Sequence, residues 1–214
     1  MGWTGRTAGV ALCAALGLAA PAAAVPRSSG VADFGGQHAA GEVRALASWT
    51  MRTEDHEGLP FAIVDKKNAR IYVFDRAGRL RGASTVLLGQ AIGDGSAPDV
   101  GEHAQTGNVP LEERTTPAGR FVSEPGRNRQ GEHVVWVDYQ SAFAIHRLRP
   151  GASQRQRQAR LASATPHDNR ASYGCVVVPV RFYLDVVAPL LGQGRSVVYV
   201  LPEQGLPRDG LDAL

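Results

Sequence analysis

Cysteine is scarce in this chain. Its 214 residues include two, Cys13 and Cys175. Cys13 lies inside an N-terminal apolar stretch that reads as a removable signal, so the mature chain is expected to carry one thiol and no intramolecular disulfide. Long apolar runs are also missing. Residues 8–20 are shorter than the ~18–20 residues that a spanning helix needs, and Pro21 ends the stretch. The six histidines show no His-x-x-x-His or similar ligand spacing, which speaks against a metal site. Nor is the charge one-sided. Lys and Arg number 23 against 20 Asp and Glu, and no basic run is interleaved with aromatics, so a nucleic-acid partner is not expected. There is no internal repeat.

What is present begins with an export pattern. Arg6 supplies a positive start, residues 8–20 an apolar centre, and Ala22, Ala23 and Ala24 a small-residue cleavage site. Residues 1–24 are therefore read as a signal peptide and the protein as exported, to the periplasm or cell envelope, with no membrane span in the mature form. Residues 25–57 are rich in Gly, Ala and Ser. They read as a flexible leader with a short helix near Glu42–Trp49. The remaining domain, 58–203, is long enough to close one core, and 204–214 form a tail.

Within the domain, PFAIVD and RIYVFD alternate apolar and polar residues around Lys66–Ala69 and predict a β-hairpin. ASTVLLG, GRFVSE, HVVWVDY, AFAIH and SVVYVLP predict further strands. Residues 90–115, polar and rich in Gly and Pro, predict a long loop. Residues 152–164 favour a short surface helix. Pro179 is placed to open another, stopped by Pro189 and Gly192. The expectation is a mostly β domain with one or two short helices.

Cys175 follows Gly174 and precedes three valines, so SYGCVVV reads equally as a core strand with a small buried thiol or as a nucleophile. A useful thiolate needs a base or a positive environment, because a free thiol has a pKa of about 8.5. His146, closing the strand AFAI, is a candidate base, although a histidine at a strand end is more often an ordinary half-buried residue. Gly174 permits close backbone approach, which lets amides face a developing oxyanion.

Taken together these segments resemble the L,D-transpeptidase catalytic domain (YkuD) family, in its Ser-Tyr-Gly-Cys branch. His146 matches the upstream histidine, and Ser172, Gly174 and Cys175 match the motif around the nucleophile. TTPAGRF at 115–121 is similar to a Thr-Pro-x-Gly-x-Phe segment, FAIVDKKNARIYVFD to the opening hairpin, and SVVYVLP to the closing strand. Tyr173 stands where most members have His, and Val177 where most have Asn or Arg.

The resemblance implies an L,D-transpeptidase-like β-sandwich. It also implies an activity on peptidoglycan stem peptides, in which Cys175, activated by His146, attacks the L-centre–D-centre bond from the third residue to D-Ala. The thioester passes to an amine, giving a 3–3 crosslink or protein attachment. Ser172, Tyr173 and Gly174 shape the site and its oxyanion contacts. Arg170 is a candidate for binding substrate carboxylates, or else a solvated loop charge. No metal and no organic cofactor are implied. The alternatives are a catalytically weak peptidoglycan-binding domain, motivated by Val177, and an L,D-carboxypeptidase that uses water. If Val177 reflects decay, Val177→Asn is expected to be neutral or to raise activity. A sortase-like enzyme fits less well, because Ala171–Cys175 lacks the Thr-Leu-x-Thr-Cys pattern.

Overall fold

The computed structural model describes residues 1–2 and 30–206. The expected signal peptide and the end of the tail lie outside the described residues. No helix among them is long and apolar enough to cross a membrane.

The opening hairpin forms as its alternation predicts. Strand β1 (Phe61–Asp65) pairs antiparallel with β2 (Arg70–Phe74), and Asp65 closes the turn by accepting from the Asn68 amide at 3.1 Å and side chain at 2.7 Å. Further strands follow in order: β3 (Leu80–Thr85), β4 (Leu88–Gly89), β5 (Gly119–Arg127), β6 (His133–Asp138), β7 (Phe143–Arg147), β8 (Arg170–Ser172), β9 (Val176–Val178) and β10 (Ser196–Val200). Eight of the described strands make one sheet in the order β3-β2-β1-β10-β5-β6-β7-β9, while β4 and β8 form a small parallel pair.

Strand β5 belongs to two halves. Its residues 119–123 pair with β10 and its residues 124–127 with β6. The sheet folds over at this strand, so that inward residues of both halves enter one core: Val64, Ile71 and Val198 from one side, Val135, Ile145 and Val176 from the other. This is how strands shared between layers build the corner of a sandwich. The fold is mostly β, as expected.

The other face of the first half carries Phe61, Ile63, Tyr72, Phe74, Val197 and Tyr199. Helix α1 (Gly41–Thr53) covers it. Val43, Leu46, Ala47, Thr50 and Met51 recur at helical spacing and are all buried. Full burial of a side chain such as Leu46 or Met51 contributes roughly 1.5–3 kcal/mol. The expectation of a flexible leader over 25–57 is therefore corrected for residues 30–57. The domain begins before residue 58, because a sheet face of large aromatics needs a cover.

Residues 90–115 also hold more than a loop, namely helix α2 (Val100–Thr106) and a 3-10 turn (Leu111–Glu113). Helix α3 (Gln154–Ala162) lies where a surface helix was expected. After Pro179 come three contiguous helical stretches, Val180–Phe182, Tyr183–Val187 and Ala188–Leu190, together α4. The middle stretch is π-helical and ends at Val187, and Pro189, which has no N–H to donate, sits in the first turn of the last stretch. The described residues thus hold four helices, besides two 3-10 turns at Leu111–Glu113 and Pro166–Asn169, where one or two helices were expected.

Candidate active site

Two short parallel pairings create the site. Strand β9 lies beside β7, with His146 opposite Val177 and Ile145 opposite Val176. Side chains alternate along a strand, so Ile145, Val176 and Val178 enter the core between the halves. His146, Val177 and the position of Cys175 share the opposite face. Strands β4 and β8 lie alongside, where Gly89 pairs with Ser172.

His146 is buried, with 7% of its surface exposed. Its Nδ1–H donates to the Arg147 carbonyl at 2.8 Å. A carbonyl can only accept, so the proton sits on Nδ1 and the lone pair on Nε2. Burial, reinforced by the Arg149 charge, lowers its pKa to about 4 against the opposing pull of the Arg147 carbonyl and Glu132. At neutral pH the imidazole is uncharged and able to accept a proton.

Cys175 is half-buried and is a free thiol. Its Sγ–H donates to the Ala142 carbonyl at 3.5 Å, in the turn between β6 and β7. Burial pushes its pKa up, opposed by backbone hydrogen bonding at Ala144 and by Arg149. At neutral pH the thiol and the imidazole are therefore both uncharged. Arg149 is held by Glu132 at 2.9 Å, and the same carboxylate holds Arg147 at 3.0 Å.

The turn before the cysteine is fixed at each residue. Ser172 Oγ donates to the Cys175 carbonyl at 2.7 Å and accepts from the Gly174 amide at 3.1 Å. Gly174 has φ +129°, and a Cβ there would lie 2.7 Å from the Thr115 carbonyl oxygen. Only glycine fits this position without displacing backbone. Thr116 Oγ1 donates to the Gly174 carbonyl at 2.8 Å and accepts from the Gly89 amide at 2.8 Å. The Thr116 carbonyl in turn accepts from Lys66 at 2.9 Å.

Lys66 is fully buried and also reaches Gly93 O at 2.8 Å, Asp94 at 2.6 Å and Glu203 at 3.4 Å. Burial works to raise the Asp94 carboxyl, but hydrogen bonds from Lys66 and the Glu203 amide outweigh it and hold it below its ordinary value. Arg170 joins this network. Its Nη2 pairs with Glu203 at 2.7 Å, with both side chains largely buried. Its charge is thus neutralised inside the protein, and it is not the solvated loop charge that the sequence allowed.

Tyr173 is 53% exposed beside the buried turn. The Arg114 guanidinium carbon lies 4.1 Å over its ring. Val177, by contrast, is 2% exposed in a cluster with Leu87, Leu148 and Leu161, and it exchanges two backbone hydrogen bonds with Leu87. An Asn there would be surrounded by leucines, which supplies a packing reason for valine. On the far side of β8, an open groove of about 750 Å³ is lined by Gln90, Ile92, Leu111, Arg160, His167 and Arg170, among others.

The structure thus brings Ser172, Gly174, Cys175 and His146 to one corner, with Tyr173 at its rim and Arg170 behind it. Sequence reasoning missed Thr116, Lys66 and Arg114. Thr116 lies inside the TTPAGRF segment, which was the one available signal.

No protein-family model and no curated protein sequence matches the chain. Among solved structures, the chain is similar to the Ldtfm–avibactam carbamoyl enzyme, at 16% identity and TM-score 0.36 over 66% of this chain and 48% of that one. It is also similar to a cysteine-to-serine mutant of Enterococcus faecium L,D-transpeptidase, at 16% identity and TM-score 0.34 over 66% and 49%. A third is the catalytic domain of E. faecium L,D-transpeptidase determined by NMR, at 16% identity and TM-score 0.34 over 66% and 96%. The match spans about half the length of the first two chains.

Proposed function

We propose that this protein is an exported cysteine acyltransferase of the L,D-transpeptidase kind, acting on peptidoglycan stem peptides at the periplasm or cell envelope. The observation that carries the reading is the register of β7 and β9, which sets His146 opposite Val177 and so one diagonal step from Cys175 on the same face. Diagonal partners on neighbouring strands have Cβ atoms about 7–8 Å apart, within reach of an aromatic ring.

In the proposed reaction the thiol turns from the Ala142 carbonyl to His146 Nε2 by rotation about its side-chain bond. Nε2 takes the thiol proton as sulfur attacks the carbonyl of the third stem residue. The Gly174 amide is already engaged by Ser172 Oγ, so the oxyanion falls to the amides of Tyr173 and Cys175. The imidazolium returns its proton to the departing D-Ala amine, leaving a thioester on Cys175. An acceptor amine then gives a proton to His146 and attacks the thioester, and the expelled thiolate takes that proton back from the imidazolium to restore the thiol. The product is a 3–3 crosslink or an attached protein; with water as acceptor it is a trimmed stem. The apolar packing of Val177 gives it a structural role and leaves the binding-only reading without its motive.

The test is intact-protein mass spectrometry of the chain incubated with a disaccharide-tetrapeptide, beside Cys175→Ala. The expected result is an adduct equal to the stem minus D-Ala on the wild type alone. A folded protein with a free thiol, no adduct and no product would overturn the reading.

A further inference from the structure

Arg114 is not used by the chemistry above, yet it is the most firmly held cation at the rim of the thiol corner. Its Nε–H donates to the Val109 carbonyl at 2.9 Å, and its Nη1 donates to Gln90 Oε1 at 2.6 Å. Its guanidinium carbon lies 4.1 Å over the ring of Tyr173, two residues from Cys175. Its backbone is clamped as well. The Arg114 carbonyl accepts from Ala91 at 3.1 Å and lies where a Cβ on Gly89 would come within 2.1 Å of it. Thr115, the next residue, packs its carbonyl against Gly174.

A guanidinium has five N–H donors. Two are used here, and no carboxylate among the described residues forms an ion pair with Arg114. The remaining Nη edge is a rigid, charged, two-pronged donor, the geometry that takes a carboxylate in bidentate fashion. Stacking on an exposed tyrosine fixes the plane of the fork, so little rotamer freedom is left to lose on binding. Gln90, which positions the fork, also lines the groove on the other side of β8. The fork is thus joined to the groove lining through Gln90 and to the turn that carries Cys175 through Tyr173. Arg170 differs in that its Nη2 is already paired with Glu203.

We infer that Arg114, seated on Tyr173, is a specificity-determining residue that binds a free carboxylate of the peptide presented to Cys175. The peptide identity rests on the acyl-transfer reading above; the carboxylate preference at the thiol does not. An anionic reagent approaching Cys175 meets the fork, and a neutral reagent of the same size gains nothing from it.

The experiment uses that difference. The full chain is alkylated with iodoacetate and, separately, with iodoacetamide, and adduct formation is followed at the Cys175-containing peptide. In each case the thiolate displaces iodide and its proton goes to solvent. The ratio of the two rates is expected to fall at least threefold in Arg114→Gln and to recover partly in Arg114→Lys, which keeps the charge and loses the fork. Tyr173→Ala, which leaves both hydrogen bonds of Arg114 in place, is expected to lower the ratio as well, and Tyr173→Phe to preserve it. A ratio unchanged in Arg114→Gln and in Tyr173→Ala overturns the inference, including the case where both rates shift together as they would from a structural disturbance. With stem tetrapeptides, amidating the recognised carboxylate should slow acylation of the wild type at least tenfold through KM and leave Arg114→Gln indifferent. Absence of acylation from every tetrapeptide, with the alkylation ratio behaving as expected, would defeat the acyl-transfer reading and leave the carboxylate site standing.

Discussion

His146 faces Val177 across a parallel strand pair, and its Nδ1–H is tied to the carbonyl of the next residue along. The first relationship sets where the imidazole lies, and the second sets which nitrogen is free. Together they give an imidazole of fixed tautomer on that face of the strand pair, which the proposed reaction uses as its base.

Replacing His146 is therefore expected to slow acylation of Cys175 by at least two orders of magnitude, the scale of general-base contributions. The measurement is the rate of adduct formation by His146→Ala with the stem tetrapeptide. A fully active variant would move the role to another group, with His167 in the groove wall the next to test.

Acidity should weaken the fold through the same residue. The folded pKa of His146 is about 4, below its ordinary value of 6.5, so the unfolded chain binds the extra proton first. Stability from this source is complete above pH ~6.5 and falls as the pH drops toward 4, by roughly 3 kcal/mol in all. Urea midpoints at pH 7 and pH 4.5 should differ more for the wild type than for His146→Gln.

The thiol should behave oppositely to an activated one. Burial raises its pKa above that of an ordinary thiol. Alkylation of Cys175 by iodoacetamide is thus expected to keep rising through pH 9, with no plateau between pH 5 and 7. A plateau there would mean that the resting pair is thiolate and imidazolium.

Thr116→Val should loosen the cysteine turn. It removes a donor from the Gly174 carbonyl and an acceptor from the Gly89 amide, both buried, at roughly 1–3 kcal/mol for each orphaned group. Thermal unfolding measures the loss, and acylation of the folded fraction should fall with it.

Val177→Asn is expected to destabilise by about 1–3 kcal/mol, because its amide would be buried among Leu87, Leu148 and Leu161. This replaces the sequence-based expectation of a neutral or improved variant. Equal melting temperatures would show that the amide finds a partner.

The strands were legible because their patterns are local. PFAIVD and RIYVFD alternate around a turn, and SVVYVLP is a short apolar run between turn residues. A short helix near Glu42–Trp49 was legible and lies within α1, but the Gly, Ala and Ser around it hid its packing on the sheet, although Val43, Leu46, Ala47, Thr50 and Met51 had helical spacing. Cys175 and His146 were ambiguous from their own neighbours and gained meaning from the resemblance of several segments in order. The roles of Lys66 and Arg114 were out of reach, and TTPAGRF was the one hint of Thr116. Lys66 meets Glu203 and Thr116 meets Gly174 across long separations, and nothing in a lone lysine, threonine or arginine announces such a partner.

The position of β10 has a consequence for how the chain acquires its chemistry. The last strand lies between β1 and β5, joining the opening hairpin to the half that carries the cysteine, and Glu203 just beyond it completes the charges around Lys66. A chain emerging from N- to C-terminus holds every residue of the thiol corner before it holds the strand that fixes them. Pairings this distant in sequence close late, after their loop entropy has been met. The turn around Cys175 is thus fixed at the end of folding, and a chain cut before Ser196 should carry Ser172, Cys175 and His146 and none of the cooperative unfolding transition.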